Sequence, residues 1–228
     1  MRGSMSGITI DDAKRIFGGD MLGLAEVEAV FGGDVAASLT REQPVSIAEL
    51  SFDRDTLMRA ADEGMMLVLR TAGDASGDRL TVVSLAARFP GTRPASGEDP
   101  WFVRERFASG DVCAAGWALV DKDPRSETRN LSYVEQDAAL ARRSERLGFA
   151  LRRRTAVEIV YDTLLYAASR SERLLETGWD WSSTMTLDGG AVTAGQFDDA
   201  GLRLLAYSKA VRFDSLGVCA TFDASARR

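Results

Sequence analysis

The stretch Gly178-Trp179-Asp180-Trp181-Ser182-Ser183-Thr184 opens the part of the chain that decides the fold. It is followed by Asp188-Gly189-Gly190, Phe197, Gly201-Leu202-Arg203-Leu204 and Leu216-Gly217-Val218-Cys219. Short apolar runs cut by Gly and Asp residues predict strands that are joined by tight turns. The end of the chain is therefore expected to be rich in β-strands.

Within these strands the side chains alternate between two faces. Trp179 and Trp181 are two residues apart and so share one face. Two interpretations are open for this pair, a place in the core or a surface on which a ligand stacks. Both tryptophans are therefore kept as candidate ligand-binding residues.

The segment from Tyr207 to Asp214 is predicted to be a loop between strands. Exposed aromatic and cationic side chains together are a common composition of binding sites. The alternative is an ordinary turn in which Val211 and Phe213 fold inward. The candidate ligand-binding residues of this region are Asp188, Tyr207, Lys209, Arg212, Phe213 and Asp214.

Two helices precede the strands. Ser132 with Glu135 and Thr155 with Glu158 have the spacing of capping boxes. The first helix is expected within 131–149, with Val134, Ala138, Leu140, Ala141 and Leu147 on one side. The second is expected to run from Thr155 to about Leu175.

The earlier part of the chain alternates helices with strands. Phe17-Gly18-Gly19-Asp20 recurs as Phe31-Gly32-Gly33-Asp34, and each copy is expected to end a helix. Asp11 is the expected N-cap of the first of these helices. A further helix is expected from Ser51 to Glu63, and a strand or strand-to-helix segment over 80–85. Buried strands are expected at 65–70 and 116–120, and a loop or subdomain seam over 90–101.

Asp74, Ser76 and Asp78 alternate as calcium ligands do, but the twelfth position from Asp74 is Leu85 instead of Glu. A polar turn is the favoured interpretation.

The order of helix, Trp-x-Trp-Ser-Ser-Thr, Gly-Gly turn and closing Leu-Gly-Val-Cys over residues 155–222 resembles C-type-lectin-like domains of bacterial proteins. These include the variable proteins of diversity-generating retroelements and relatives of the formylglycine-generating enzyme. The matching residues are Trp179, Trp181, Ser182, Ser183, Thr184, Gly201, Leu202, Gly217 and Val218. A calcium-binding Glu-Pro-Asn triplet is absent, and Cys113 and Cys219 match no copper-site motif. Most of the chain also resembles a group of uncharacterised bacterial proteins.

This resemblance implies an α+β fold, in which N-terminal helices and short strands pack with a C-terminal C-type-lectin-like unit of mixed α/β structure. It also implies a non-enzymatic binding module that meets a protein or another macromolecule through its loops. Four segments are expected, namely a vector leader (1–4), a helical segment (5–43), an α/β segment (44–130) and the helices with the strand-rich end (131–228).

Composition limits the chemistry. The 228 residues contain no histidine, which excludes Ser-His and Cys-His pairs and the usual zinc sites. An enzyme would have to work through carboxylates, Tyr, Lys, Arg or a cofactor. The enzyme alternative considered is a carboxylate one, with Asp180, Asp188, Asp198, Asp199 and Asp214 as the candidates. The other alternative is a component of a multiprotein assembly, with the N-terminal helices as a docking arm or a homo-oligomer contact. No cofactor or metal is predicted.

The net charge and the targeting signals limit which partners and which cellular location are expected. The net charge is −6, which argues against a nucleic-acid partner. Arg152-Arg153-Arg154 is interpreted as a solvated turn, with an anion contact as the alternative. The sequence shows no signal peptide and no membrane-length apolar run, so a soluble cytoplasmic protein is expected. Cys113 and Cys219 are expected to be buried free thiols, with a long-range disulfide as the alternative.

Overall fold

The computed structural model describes residues 8–33, 35, 50–89 and 100–223. It confirms the predicted α+β class, with two mixed sheets and helices packed against them. The vector leader, Asp34 and most of the predicted loop over 90–101 lie outside the described residues. The three segments expected after the leader all contribute strands to the first sheet, which therefore joins distant parts of the chain.

Within the described residues the first sheet has five strands, and the last described strand of the chain lies in its interior. In spatial order its strands are β1 (Met21–Leu22), β2 (Met65–Arg70), β3 (Gly116–Asp121), β9 (Ala220–Asp223) and β4 (Arg152–Arg153). The β1–β2 pair is parallel, and the other pairs are antiparallel. The strands predicted at 65–70 and 116–120 are confirmed.

The second sheet is built by the strand-rich end of the chain. In spatial order its strands are β7 (Gly201–Tyr207), β6 (Ala191–Asp198), β5 (Trp179–Met185) and β8 (Leu216–Gly217). The antiparallel β5–β6–β7 arrangement is the predicted succession of strands joined by turns. β8 runs parallel to β5 at the other edge.

Seven α-helices lie in the described ranges. They are α1 (Ile10–Phe17), α2 (Leu24–Phe31), α3 (Arg54–Asp62), α4 (Val82–Arg88), α5 (Arg106–Gly110), α6 (Tyr133–Leu147) and α7 (Ala156–Arg170). None of them combines the length and the apolar character that a membrane crossing requires.

Helix α7 lies at the centre of the molecule. It contacts β1 and β2 of the first sheet and β5 and β6 of the second. Every residue from Ala156 to Tyr166 is buried, including Glu158 and Asp162. A helix buried on all sides needs an internal partner for each polar side chain, because burying an unpaired charge is costly. Cations therefore have to reach Glu158 and Asp162 from other elements of the fold.

Local signals predicted the helix ends well. Both capping boxes are present, at Ser132 with Glu135 and at Thr155 with Glu158. Gly18 and Gly32 end α1 and α2 with positive φ values of 52° and 100°, which glycine adopts without steric cost.

Other expectations were wrong in detail. Thr9, and not Asp11, caps α1, since its hydroxyl accepts from the Asp12 amide. The segment over 80–85 mostly forms the start of α4. Val134, Ala138 and Ala141 were expected on the same side of α6 as Leu140 and Leu147, but they are exposed, Val134 to 71%, whereas the two leucines are buried.

Helix α7 ends at Arg170, five residues before the predicted end near Leu175. The end is set by Ser171, which takes the left-handed conformation with φ 57° and ψ 25°. A non-glycine residue there carries a steric cost that the sequence pattern does not reveal. The turn after Ser171 brings Leu174 and Leu175 into the core, which explains why an apolar pattern continues past the helix.

We expect Ser171→Gly to stabilise the protein, because glycine relieves the left-handed strain at the helix end. The expected gain is about 0.5–1 kcal/mol, measured by urea unfolding. The reciprocal change, Gly148→Ala at the φ 73° end of α6, should be destabilising. A loss of stability in Ser171→Gly would contradict this explanation of the helix end.

Candidate binding surface

The two tryptophans of β5 are core residues, so their interpretation as a ligand-stacking pair was wrong. Trp179 is 6% exposed and Trp181 is fully buried. They form a cluster with Tyr133, Ala191 and Leu216. The Trp181 and Tyr133 rings meet edge to face at 5.2 Å between centroids. The Tyr133 ring of α6 therefore covers Trp181, and neither tryptophan is accessible to a ligand.

The Ser-Ser-Thr sequence after the tryptophans also has a structural role. β5 leaves its regular pairing with β6 between Trp181 and Met185. The Ser182 hydroxyl bridges this bulge by donating to the Val192 carbonyl at 2.7 Å. The Thr184 hydroxyl accepts from the Ala156 amide at 2.9 Å, and so satisfies a free donor at the start of α7.

The predicted loop begins at the last residue of β7, Tyr207, which is half-buried against the tryptophan cluster, and it carries the exposed Phe213. The Tyr207 and Phe213 rings meet edge to face at 5.4 Å between centroids, and Phe213 is 44% exposed. Val211 is partly buried against the tryptophan cluster. The alternative of an inward-folded turn is thus correct for Val211 and wrong for Phe213.

The loop is fixed to the start of α6 along its length. The Tyr133 amide donates to the Lys209 carbonyl, and the Asn130 amide donates to the Phe213 carbonyl, each at 3.0 Å. Arg212 pairs with Glu135 at 2.8 Å. Hydrogen bonds from Ser132, with the Arg212 contact, lower the pKa of the Glu135 carboxyl to about 2. The pair is therefore charged throughout the neutral range.

Three further side chains extend this surface. The Lys209 ammonium lies 5.2 Å from the centre of the Tyr133 ring, a distance at which a cation–π attraction acts. Asp214 is exposed and forms no side-chain hydrogen bond or ion pair with the described residues. Val134 lies between the two α6 residues that hold the loop, Tyr133 and Glu135. We call this assembly the α6–loop surface; its members are Val134, Tyr207, Lys209, Arg212, Phe213 and Asp214.

Asp188 does not join the α6–loop surface through its carboxylate. It lies in the β5–β6 turn, near the end of β7 because Ala191 pairs with Tyr207. Its carboxylate accepts from the Thr186 hydroxyl and the Gly190 amide. These hydrogen bonds lower the pKa of Asp188, and they show that the carboxylate closes its own turn.

The remaining carboxylates proposed for acid–base catalysis are dispersed. Asp180 is fully buried and accepts from Arg154 at 2.7 Å. Asp198 pairs with Arg203, and Asp199 with Arg173, both at 2.6 Å. No two of these candidates pair with the same residue, so their ion pairs bring no two carboxylates together.

Arg152-Arg153-Arg154 is not a solvated turn; that interpretation was wrong. Arg153 and Arg154 are 5% and 0% exposed. Arg154 pairs with Asp162 at 3.0 Å and with Asp180 at 2.7 Å. Nonlocal carboxylates draw these arginines inside, which the sequence triplet alone does not indicate. The triplet is also not available as an anion site on the surface.

A closed ring of charges joins the first sheet to α7. Arg70 and Arg152 each contact both Glu158 and Asp223. Arg70 also donates to both oxygens of Asp162, at 2.9 and 2.6 Å. Such bidentate contacts are among the strongest charge-assisted hydrogen bonds.

The two carboxylates of the ring differ in their pKa values. Burial alone raises the pKa of Glu158, but the charges and hydrogen bonds of Arg70 and Arg152 outweigh it and lower the pKa to about 2. Burial raises the pKa of Asp223, and the same two arginines offset this only in part. Folding therefore favours the ionised form of Glu158, whereas for Asp223 the cost of burial exceeds what the two arginines return.

The predicted polar turn at Asp74 is confirmed. The Asp74 carboxylate accepts from the Ser76 and Asp78 amides, each at 2.9 Å, and it pairs with Arg88. Its oxygens are thus occupied within the turn. Among the described residues no cluster of three or more His, Cys, Asp or Glu side chains could hold a metal ion.

The two cysteines are free and buried, as the sequence predicted. Burial raises the pKa of both thiols well above their usual range. Thiolates are the reactive form, so Cys113 and Cys219 are inert in the folded protein.

A cleft of about 700 Å³ lies between α5 and the second half of β5. Its wall hydroxyls are engaged by the protein itself: Thr155 and Thr184 accept from α7 amides, and Thr186 donates to Asp188. Glu105 accepts from the Leu187 amide. These polar groups serve the fold, and the exposed side chains of Arg106 and Asp111 are the other charged groups of the wall.

Comparison with protein-family models, curated proteins and solved structures finds no match for this chain. The C-type-lectin-like resemblance stays a prediction, and the function has to be argued from the α6–loop surface itself.

We expect the two ring carboxylates to respond differently to neutralisation. Glu158→Gln should destabilise the protein by about 3–5 kcal/mol at pH 7, because it leaves Arg70 and Arg152 less compensated. Asp223→Asn should cost less, because Asp223 is partly exposed and Glu158 still pairs with both arginines in that variant. Urea unfolding of both variants measures the difference, and equal losses would contradict the different roles of the two carboxylates.

The pH dependence should separate the variants further. The folded pKa of Glu158 is about 2, below its ordinary value of 4.5. Its stabilisation, on the order of 3 kcal/mol, is complete above about pH 4.5 and is lost as the pH falls towards 2. Wild-type stability should therefore fall more steeply than that of Glu158→Gln between about pH 5 and pH 3.

Proposed function

We propose that the protein is a non-enzymatic binding module that recognises a protein partner through the α6–loop surface. The observation that carries the proposal is the exposed Phe213 ring, which packs on the half-buried Tyr207 from a loop fixed by backbone hydrogen bonds. Aromatic residues supply large contact areas, and arginine and tyrosine are enriched at the centres of interfaces. The C-type-lectin-like resemblance of the same part of the chain agrees with this role.

The fixed loop favours binding energetically. Association has to overcome the entropy lost when loops and side chains become ordered. Here the carbonyls of Lys209 and Phe213 are already bonded to α6 and the residues before it, and Arg212 is already paired. Less ordering is therefore left for the partner to impose.

The surface also suits a protein partner in its composition. Val134 and Phe213 offer apolar contact, at 71% and 44% exposure, while Lys209 and Asp214 offer one charge of each sign. An apolar centre with a polar rim is typical of protein–protein interfaces. Nucleic acid fits less well, because two arginines of the basic triplet are buried and the net charge is −6.

The two alternatives have less support. Helices α1 and α2 contribute Phe17 and Phe31 to the main core, and Arg170 donates to the Gly19 and Met21 carbonyls. The apolar residues proposed for a docking arm are thus used internally. A carboxylate enzyme is less favoured because Asp180, Asp188, Asp198 and Asp199 are each engaged with other residues.

The test is affinity capture from a lysate of the source organism, followed by measurement of the Kd for the recovered protein. We expect Phe213→Ala to weaken binding at least about thirtyfold, as hot-spot residues do. Met58→Ala is the matched control, because Met58 on α3 is 45% exposed and lies outside the α6–loop surface. Equal affinities for the two variants would contradict the proposal.

A further inference from the structure

The chain from 208 to 223 joins the α6–loop surface to the interior of the first sheet. It begins in the loop after β7, passes along β5 as β8, and ends as β9 between β3 and β4. Only Val218 and Cys219 separate β8 from β9. We call residues 208–223 the C-terminal arm.

Close packing holds the middle of the arm. The Thr128 hydroxyl accepts from the Val218 amide at 2.9 Å. A Cβ atom at Gly217 would lie 2.8 Å from that hydroxyl oxygen and 2.9 Å from the Pro124 Cβ. No side chain fits in that space, so only glycine lets the arm lie this close to the segment before α6. Leu216, next in the chain, is buried among the tryptophans.

Two buried carboxylates hold consecutive amides of the arm. Asp180 accepts from the Cys219 amide at 2.8 Å, and Asp121 accepts from the Ala220 amide at 2.9 Å. Arg154 and Arg143 in turn hold these carboxylates, at 2.7 and 2.8 Å. Buried carboxylates that are paired and hydrogen-bonded at once make strong anchors, and they are costly when one partner is removed.

The end of the arm completes the first sheet. β9 pairs with β3 on one side and with β4 on the other. In the described sheet, β4 is an edge strand and pairs with β9 alone. Asp223, at the end of β9, closes the charge ring with Arg70 and Arg152. The arm is therefore anchored at both ends and in the middle.

We propose that the C-terminal arm docks and undocks as one cooperative unit, so that the α6–loop surface exists only while the final strand is seated in the first sheet. The proposal rests on the proposed function for its biological meaning, though the cooperativity itself does not depend on a partner. A short segment of the arm between two anchors cannot undock by itself. Its undocking would leave a buried amide or carboxylate without a hydrogen-bond partner.

Linkage gives this arrangement a regulatory consequence. A ligand that binds the loop only when the arm is docked must also stabilise β9, and by the same free energy. Conversely, anything that withdraws β9 from the sheet removes the binding surface.

Native-state hydrogen exchange of the wild-type protein in low guanidinium tests the unit directly. The reporters are the amides of Val211, Leu216 and Ala220, with those of Asn130 and Tyr133, which donate to loop carbonyls. We expect all five to share one opening free energy and one denaturant dependence, below that of Leu67 in β2. Separate values for the loop and β9, or values equal to that of Leu67, would overturn the proposal.

Gly217→Ala provides the second test. Its methyl group should speed exchange at both Val211 and Ala220 by the same factor, at least about tenfold, and leave Leu67 unchanged. Gly110→Ala is the matched control, since a Cβ there meets no atom within 4 Å. Acceleration at Ala220 with Val211 still protected would refute the coupling. If Gly217→Ala does not fold, the exchange profile of the wild-type protein alone tests whether the arm opens as one unit.

The proposed binding function and the proposed cooperativity of the C-terminal arm can each be contradicted without the other. Exchange of the isolated protein reports on the arm whether or not a partner exists. Loss of partner binding in Phe213→Ala reports on the surface whether or not the arm is cooperative.

Discussion

The burial of α7 is the constraint on which the rest of the structure depends. A helix that lies between two sheets and carries Glu158 and Asp162 inward requires buried cations. Arg70 and Arg154 supply them from β2 and from the segment before α7. Desolvating such charges is costly unless every oxygen and N–H group finds a partner. The partners come from distant strands, so this one requirement ties the two sheets together.

The same charges explain how the last strand is held. Asp180 faces Arg154 with one oxygen and the Cys219 amide with the other. Asp121 binds Arg143 through both oxygens, and one of them also accepts from the Ala220 amide. An ion pair that stabilises the core thus also fixes the backbone of the last strand. Core and C-terminal arm are linked by shared atoms, which is why we expect the surface at the start of the arm to be coupled to the sheet at its end.

How much could be predicted from the sequence depends on how far apart along the chain the interacting residues lie. Capping boxes at Ser132 and Thr155 are local, because both partners lie three residues apart, and both were predicted correctly. The spacing of Trp179 and Trp181 showed that they share one face of β5. It did not show that this face is buried, with Tyr133 packed on Trp181. The buried state of Arg154 depends on Asp180, 26 residues away, so the basic triplet was misinterpreted.

The candidate surface shows the same limit. Tyr207, Lys209, Arg212 and Phe213 were predicted from composition, and the structure places Tyr207 at the end of β7 and the other three in the loop that follows. Val134 was placed on the same side of the helix as Leu140 and Leu147, because it fits an apolar helical pattern. Tyr133 takes the buried position instead, and its ring contacts both the Arg153 guanidinium and the Lys209 ammonium. The first turn of α6 is therefore oriented so that Tyr133 faces the tryptophans and Val134 faces solvent.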